Sequence, residues 1–449
     1  DLKLSMQNEI TNSWEAQEIM NKLSVLKCST IVLSFSNFTQ ITFEESGLHL
    51  SRFQKLENLI LNFFNYGDIL SFVGFGNFCK DISHITNLKE LSFSWLDPAT
   101  LNDTQISEFG NLITGLTNLT ALYFYSRLTA KFTETILGNL ENLTKLNSFY
   151  FSGAFSCKSL EKLALALPGL KCLESLKLDG EADELLEEGL TKMLKAATSL
   201  PKIQTFKFDF NNQDTLVSND ALKELINLLQ GNKNIERLSI IIAHLKSEED
   251  LMDEFSSLIG KLENLEELEL TLNGSGFTPL TYRNLGKAIV GLSKLRELGL
   301  QISTKESVKK HITWLSTNHL LDLYENLPNK IKSIELKIEG FVLENGFLSN
   351  LGKKLREMKT LKSLNLSVKN CKNKNPDDFI QLGTSLSRLL TLTKLRISVN
   401  GLQSSDYSGS NSALDLTNKM KALLKYLPFI SWTSSDISFY SYSDISDYE

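Results

Sequence analysis

The sequence predicts an α/β solenoid, a horseshoe of about thirteen strand-and-helix repeats with a parallel sheet on the concave side and helices on the convex side. Three observations predict it. Apolar spacing changes from helical to extended within one short segment, that segment returns in frame along nearly all of the 449 residues, and amphipathic helical stretches lie between its copies.

Residues 262–273 carry the clearest copy. Leu262, Leu265, Leu268, Leu270 and Leu272 stand three, three, two and two residues apart, so a helical turn leads straight into an alternating strand. The frame returns as Ile85, Leu88, Leu91, Phe93 and Trp95, as Leu116, Leu119, Leu122 and Phe124, and as Leu170, Leu173, Leu176 and Leu178. The first inward strand residues of the copies are Ile31, Leu59, Leu91, Leu122, Phe149, Leu176, Phe206, Leu238, Leu268, Leu298, Ile334, Leu364 and Leu395, spaced 27 to 36 residues apart.

Helical faces fall between them. Leu222, Leu225, Ile226 and Leu229 share one, and Leu251, Phe255, Leu258, Ile259 and Leu262 another. Ser218-Asn219-Asp220 and Ser247-Glu248-Glu249 supply capping residues at their starts. A unit of about 30 residues cannot bury a strand and a helix alone, so neighbours stack and the core becomes continuous.

The pattern L-x-x-L-x-L-x-x-N reads from Leu265 to Asn273 and again from Leu392 to Asn400. On those residues the chain resembles the ribonuclease-inhibitor-like class of leucine-rich-repeat proteins, over about residues 20 to 430. The asparagine is present at Asn211, Asn273 and Asn400 and replaced at Leu96, Ala154, Glu181, Ala243 and Lys369, so an unbroken asparagine ladder is not expected. Seven prolines, 26 phenylalanines and uneven repeat lengths resemble the divergent repeat families of unicellular eukaryotes such as ciliates.

Around the repeats, residues 1–27 are read as an N-terminal capping helix and lead-in, with Ile10, Trp14, Ile19 and Leu23 inward. Residues 28–430 are the solenoid, and 431–449 a C-terminal cap with a Ser/Asp/Tyr-rich tail. Leu424–Trp432 and Asp436–Tyr440 are two candidate closing strands. Loops are expected at 65–83, 304–319, 370–377 and 401–412, where repeat length departs from the mean.

Composition narrows the partners. The net charge of -6, from 47 Lys and Arg against 53 Asp and Glu, looks evenly spread with no basic stripe, so nucleic acid is not an expected partner. No apolar run reaches the roughly 18 residues that span a bilayer, so no membrane insertion is expected. Five cysteines (Cys28, Cys79, Cys157, Cys172 and Cys371), scattered and without a C-x-x-C pair, suit reduced thiols inside a cell. The expected location is cytoplasmic, with association to the cytoskeleton or a cilium as the finer expectation. The chain begins at Asp1 rather than Met and is read as processed or partial.

Chemistry is not found in the usual patterns. No phosphate loop, H-E-x-x-H helix or G-x-S-x-G elbow occurs, and of the five histidines only His311 and His319 are near each other. No catalytic residue, cofactor or metal is assigned, and the chain is not expected to be an enzyme.

The strand pattern instead exposes columns of residues between the buried ones. One column runs Val32, Ile60, Ser92, Tyr123, Tyr150, Lys177 and Lys207, then Ser239, Glu269, Gly299, Glu335, Asn365 and Arg396. The next contains Tyr125, Asp179 and Asp209. Tyr123, Tyr125 and Tyr150 beside Lys177, Asp179, Lys207 and Asp209, followed by Arg237, Glu267 and Glu269, form the candidate partner-binding set. Aromatic anchors beside mixed charge make an interface hot spot; as exposed cross-strand packing they need no partner.

The resemblance implies a non-catalytic scaffold, a structural or adaptor subunit of a hetero-oligomeric complex that binds one or more proteins. The alternative is an activating protein of a small GTPase. Relatives of that kind carry a long acidic C-terminal block, whereas the acids here are only Asp436, Asp444, Asp447 and Glu449.

Overall fold

A computed structural model of the protein describes residues 2–7, 28–36, 40–42, 50–53, 55–64, 71–95, 101–126, 129–182, 186–210, 218–243, 249–273, 277–303, 315–373, 375, 377–402, 418–424, 427 and 437–441. They fall into two compact units, Asp1–Thr215 and Leu216–Glu449.

The first unit runs through β1 (Leu2–Gln7), β2 (Thr30–Ser36), β3 (Gln40–Thr42), β4 (Asn58–Phe64), β5 (Ser71–Val73), β6 (Glu90–Trp95), β7 (Ala121–Ser126), β8 (Ser148–Phe155), β9 (Ser175–Ala182) and β10 (Thr205–Phe210). All but β3 and β5 pair as parallel neighbours in chain order. Helices Phe75–Ser83, Asp103–Gly115, Ala130–Gly138, Cys157–Ala166 and Glu187–Ala197 lie between the strands in sequence, and each packs on the next where they follow one another. The register reproduces the sequence frame: Ile31, Leu59, Leu91, Leu122, Phe149, Leu176 and Phe206 are partners in turn, and all are buried.

Each repeat is hooked to the next by one carbonyl that accepts two N–H groups. Glu57 O takes Lys89 N at 2.7 Å and Glu90 N at 2.9 Å, and Lys89 O takes Thr120 N at 2.7 Å and Ala121 N at 3.0 Å. These bonds satisfy the turn's backbone and fix the register before any side chain contributes. Capping holds the helices' first turns. Asn102 and Gln105 form a capping box, as do Ser156 and Ser159, and Thr129 accepts from Phe132 N.

The core of this unit is aromatic. Phe93 stacks on Phe124 at 5.7 Å and meets Phe109 edge-on at 4.8 Å, and Phe63 stacks on Trp95 at 5.2 Å.

The second unit contains β11 (Arg237–Ala243), β12 (Glu267–Asn273), β13 (Glu297–Ser303), β14 (Leu315–Ser316), β15 (Ser333–Glu339), β16 (Phe341–Leu343), β17 (Ser363–Lys369), β18 (Lys372–Asn373), β19 (Lys394–Leu402) and β20 (Ile437–Ser441). All but β14, β16 and β18 are parallel neighbours in chain order. Those three short strands form a small parallel sheet of their own. Leu238, Leu268, Leu298, Ile334, Leu364 and Leu395 pair in turn, and this core is mainly Leu and Ile. Ser218 caps Asn219–Gly231, whose Leu222, Leu225, Ile226 and Leu229 are buried as the spacing predicts. Thr278 caps Pro279–Gly291, with proline in the first turn, where its missing N–H costs nothing.

Four expectations change. The expected loop over 304–319 holds β14 and the start of helix Asn318–Glu325 in its described part, residues 315–319. The expected loop over 65–83 contains β5 and helix Phe75–Ser83, because Gly74 turns the chain in the left-handed region (φ 73) and Phe75, Phe78, Cys79 and Ile82 then bury one helical face. The expected loop over 370–377 contains β18, where Asn370 supplies a φ of 51. An additional strand, β1, precedes the first predicted repeat, with Leu2, Leu4 and Met6 in register with Ile31, Leu33 and Phe35. The candidate strand at Asp436–Tyr440 is realised as β20. The capping helix over 8–27, the Ser247–Glu248 cap, 403–412, most of Leu424–Trp432 and the tail over 442–449 lie outside the described residues.

Candidate binding face

Along β8 the residues alternate between part-exposed and buried, so one face of the sheet joins the core and the other meets solvent. In the first unit the open face carries the predicted columns in register. Val32, Ile60, Ser92, Tyr123, Tyr150, Lys177 and Lys207 are partners in turn across β2, β4, β6, β7, β8, β9 and β10, and Tyr125, Ser152, Asp179 and Asp209 follow two residues on.

The tyrosines and charges interlock. The rings of Tyr125 and Tyr150 lie 4.6 Å apart, tilted by 36°, and Tyr125 is 44% exposed, so one ring anchors the other while leaving its own face open. The Tyr150 hydroxyl donates to Asp179 Oδ2 at 3.2 Å, and Lys207 Nζ lies 3.7 Å from Asp209 Oδ2. Burial, with the Asp179 carboxylate next, pushes the Tyr150 hydroxyl up to about 12. Tyr125 is raised too, by burial first and then by Tyr123 and Glu90. Both hydroxyls are therefore neutral donors at physiological pH. Lys177 makes no ion pair among the described residues and stands beside Tyr150 in the first column.

Backbone beneath the cluster comes unusually close. Gly153 and Gly180 are partners on β8 and β9, Gly180 sits at φ 148, and a Cβ there would overlap the Gly153 carbonyl oxygen. Only glycine fits, so the strand positions that set Ser152 and Asp179 are fixed from below.

The other three candidates belong to the second unit's sheet. Arg237 Nε meets Glu267 Oε1 at 2.9 Å, and Ser239 Oγ donates to Glu269 Oε2 at 2.8 Å. These groups are largely spent on each other, and exposed pairs of this kind are worth about 0–1 kcal/mol. Ser152, in the second column, hydrogen-bonds Tyr150. Glu90, which acts on Tyr125, escaped the sequence reading: it stands two residues before Ser92 on β6, outside both columns, and that strand's alternation was the signal that could have found it.

Among the described residues no group of three or more His, Cys, Asp or Glu could hold a metal ion, and no helix is long and apolar enough to cross a membrane. The His311 and His319 side chains lie outside the described residues. The described cysteines are free thiols, Cys79 and Cys371 buried. No protein-family model matches the chain, and no curated protein matches it.

Proposed function

We propose that this chain is a non-catalytic protein-binding scaffold of the leucine-rich-repeat type, nearest in construction to the ribonuclease-inhibitor-like class. In this reading it serves as a structural or adaptor subunit of a larger intracellular assembly and takes its partner on the open sheet face. One observation carries the proposal: on β7 to β9, Tyr125 and Tyr150 are packed ring to ring and Tyr150 is tied to Asp179. Side chains already held by neighbours lose little rotamer freedom on binding, and a partly exposed aromatic surface ringed by charge is what a protein partner desolvates with gain.

The test places a photo-crosslinking benzoylphenylalanine at position 125, and separately at Leu165, which is 74% exposed on helix Cys157–Ala166. Irradiation in extract of the source cells should give an adduct of one discrete mass from position 125 and none from 165. Adducts from 165 alone, or from neither, would overturn the sheet-face reading. Accelerated GTP hydrolysis by a captured partner would replace the scaffold with the activating-protein alternative.

A further inference from the structure

The turns that lead into the strands of the second unit are not evenly charged. Residues 262–269, which lead into β12, carry Glu263, Glu266, Glu267 and Glu269 and no cation. The turns leading into β15, β17 and β19 reverse this. They bring Lys330, Lys332, Lys359, Lys362, Lys394 and Arg396 to one end of the sheet, all exposed. Registration makes them neighbours. Lys332 O accepts Lys362 N at 2.8 Å and Lys362 O accepts Lys394 N at 2.9 Å, while Ser363 pairs with Lys394 and Asn365 with Arg396.

None of these six cations forms an ion pair or a side-chain hydrogen bond among the described residues. Two acids on these strands and turns are engaged elsewhere, Glu335 at 2.8 Å from Lys337 and Glu357 at 3.9 Å from Lys354, and Glu297, in register with Ser333 on β13, pairs with none of the six among the described residues. Like charges on neighbouring strands repel one another, and an anion that bridges them relieves that repulsion.

We infer that this end of the β15–β19 sheet is a binding site for a short acidic segment of a partner polypeptide. Length selects the ligand. The stretch of cations without side-chain partners ends at β15, since before β13 Arg296 pairs with Glu266 and Lys294 donates to Asn264. It spans two strand steps of about 4.8 Å plus the reach of the lysine arms, which an extended peptide of about four to six residues at about 3.3 Å each covers. A nucleic acid or an anionic bilayer would run on towards Glu263 and Glu269 before β12, the two glutamates there that no arginine pairs among the described residues, and meet repulsion. No aromatic residue is interleaved with the six cations in residues 328–335, 358–365 and 389–396 to stack on bases. The site stands independently of the tyrosine cluster and survives if that reading fails.

Fluorescence anisotropy of fluorescein-labelled hexaglutamate with the full chain tests it at low ionic strength. Lys332→Glu, Lys362→Glu and Lys394→Glu together should weaken binding about tenfold or more, because each exposed pair contributes modestly and all three are reversed. A control triple with the same charge change at exposed positions of the first unit, Lys55→Glu, Lys80→Glu and Lys158→Glu, should stay within about twofold. Added salt should weaken the wild-type complex as the Debye length shortens. No wild-type binding, or equal loss in both triples, overturns the site. Tighter binding of a 20-nucleotide oligothymidylate or of phosphatidylserine vesicles overturns the choice of a polypeptide ligand.

Discussion

Tyr150 donates its hydroxyl to Asp179 Oδ2 at 3.2 Å across the β8–β9 pair, so the ring that supports Tyr125 is held at its polar end by a carboxylate. Burial first and Asp179 second raise this phenol from 10.0 to about 12. A folded value above the unfolded one means the folded chain keeps a proton that the unfolded chain has lost. The stability this lends is complete below about pH 10 and disappears as pH rises towards 12. Ultraviolet titration at pH 9–13 should show an absorbance step missing in Tyr150→Phe. Asp179→Asn should lower that step's midpoint only part of the way, since burial is the larger cause. An unmoved midpoint would deny the pairing.

Tyr282 and Tyr324 differ from Tyr150. Their hydroxyls are buried without hydrogen-bond partners among the described residues, and burial pushes both far up. A buried polar group left unsatisfied costs about 1–3 kcal/mol, and phenylalanine keeps the ring while removing the cost. Tyr282→Phe and Tyr324→Phe should each stabilise the protein by about 1 kcal/mol, read as a higher urea midpoint with an unchanged slope. Tyr150→Phe, which loses a made bond, should destabilise by a similar amount. The same sign from all three would remove the distinction.

Two glycines outside the usual backbone regions should answer alanine differently. At Gly180 the added methyl strikes the Gly153 backbone, whereas at Gly346, with φ 83, nothing lies within 4 Å. Gly346→Ala bears only the left-handed penalty of about 1–2 kcal/mol. Gly180→Ala must also part β8 from β9, and should cost several kcal/mol and loosen Ser152 and Asp179. Equal losses in thermal denaturation would show that the strands yield without strain.

The repeat was legible because its signal is redundant. A switch from three-residue to two-residue spacing that recurs at Leu91, Leu122, Leu176, Leu268 and Leu364 is hard to produce by accident, and parallel register then fixes which residues share a column. That is why Tyr123 and Tyr150 could be placed side by side. The strand Leu2–Gln7 was not legible, because the alternation of Leu2, Leu4 and Met6 over six residues is too short to mark a repeat by itself. The helix after Gly74 was hidden by glycines that read as loop until Phe75, Phe78 and Ile82 are seen as one face. The cationic end was missed because composition averages it against the acidic turn before β12; charge had to be read one turn at a time, after the register was known.

Phe109 tests how far damage travels in such an architecture. Its ring lies 4.8 Å from Phe93, 5.4 Å from Phe132, 5.8 Å from Phe124 and 5.9 Å from Phe75 by ring centroids, so one helix residue joins three helices and two strands. Phe109→Ala should cost about 3–5 kcal/mol through lost burial and an unfilled cavity. Repeats touch mainly their neighbours, so the loss should stay local within the first unit. Hydrogen exchange should speed up markedly in β6 and β7 and much less in β9 and β10. Uniform acceleration across all four strands would mean that the aromatic cluster and the charged strands open as one cooperative block, and the tyrosine face would then be only as rigid as the weakest repeat beneath it.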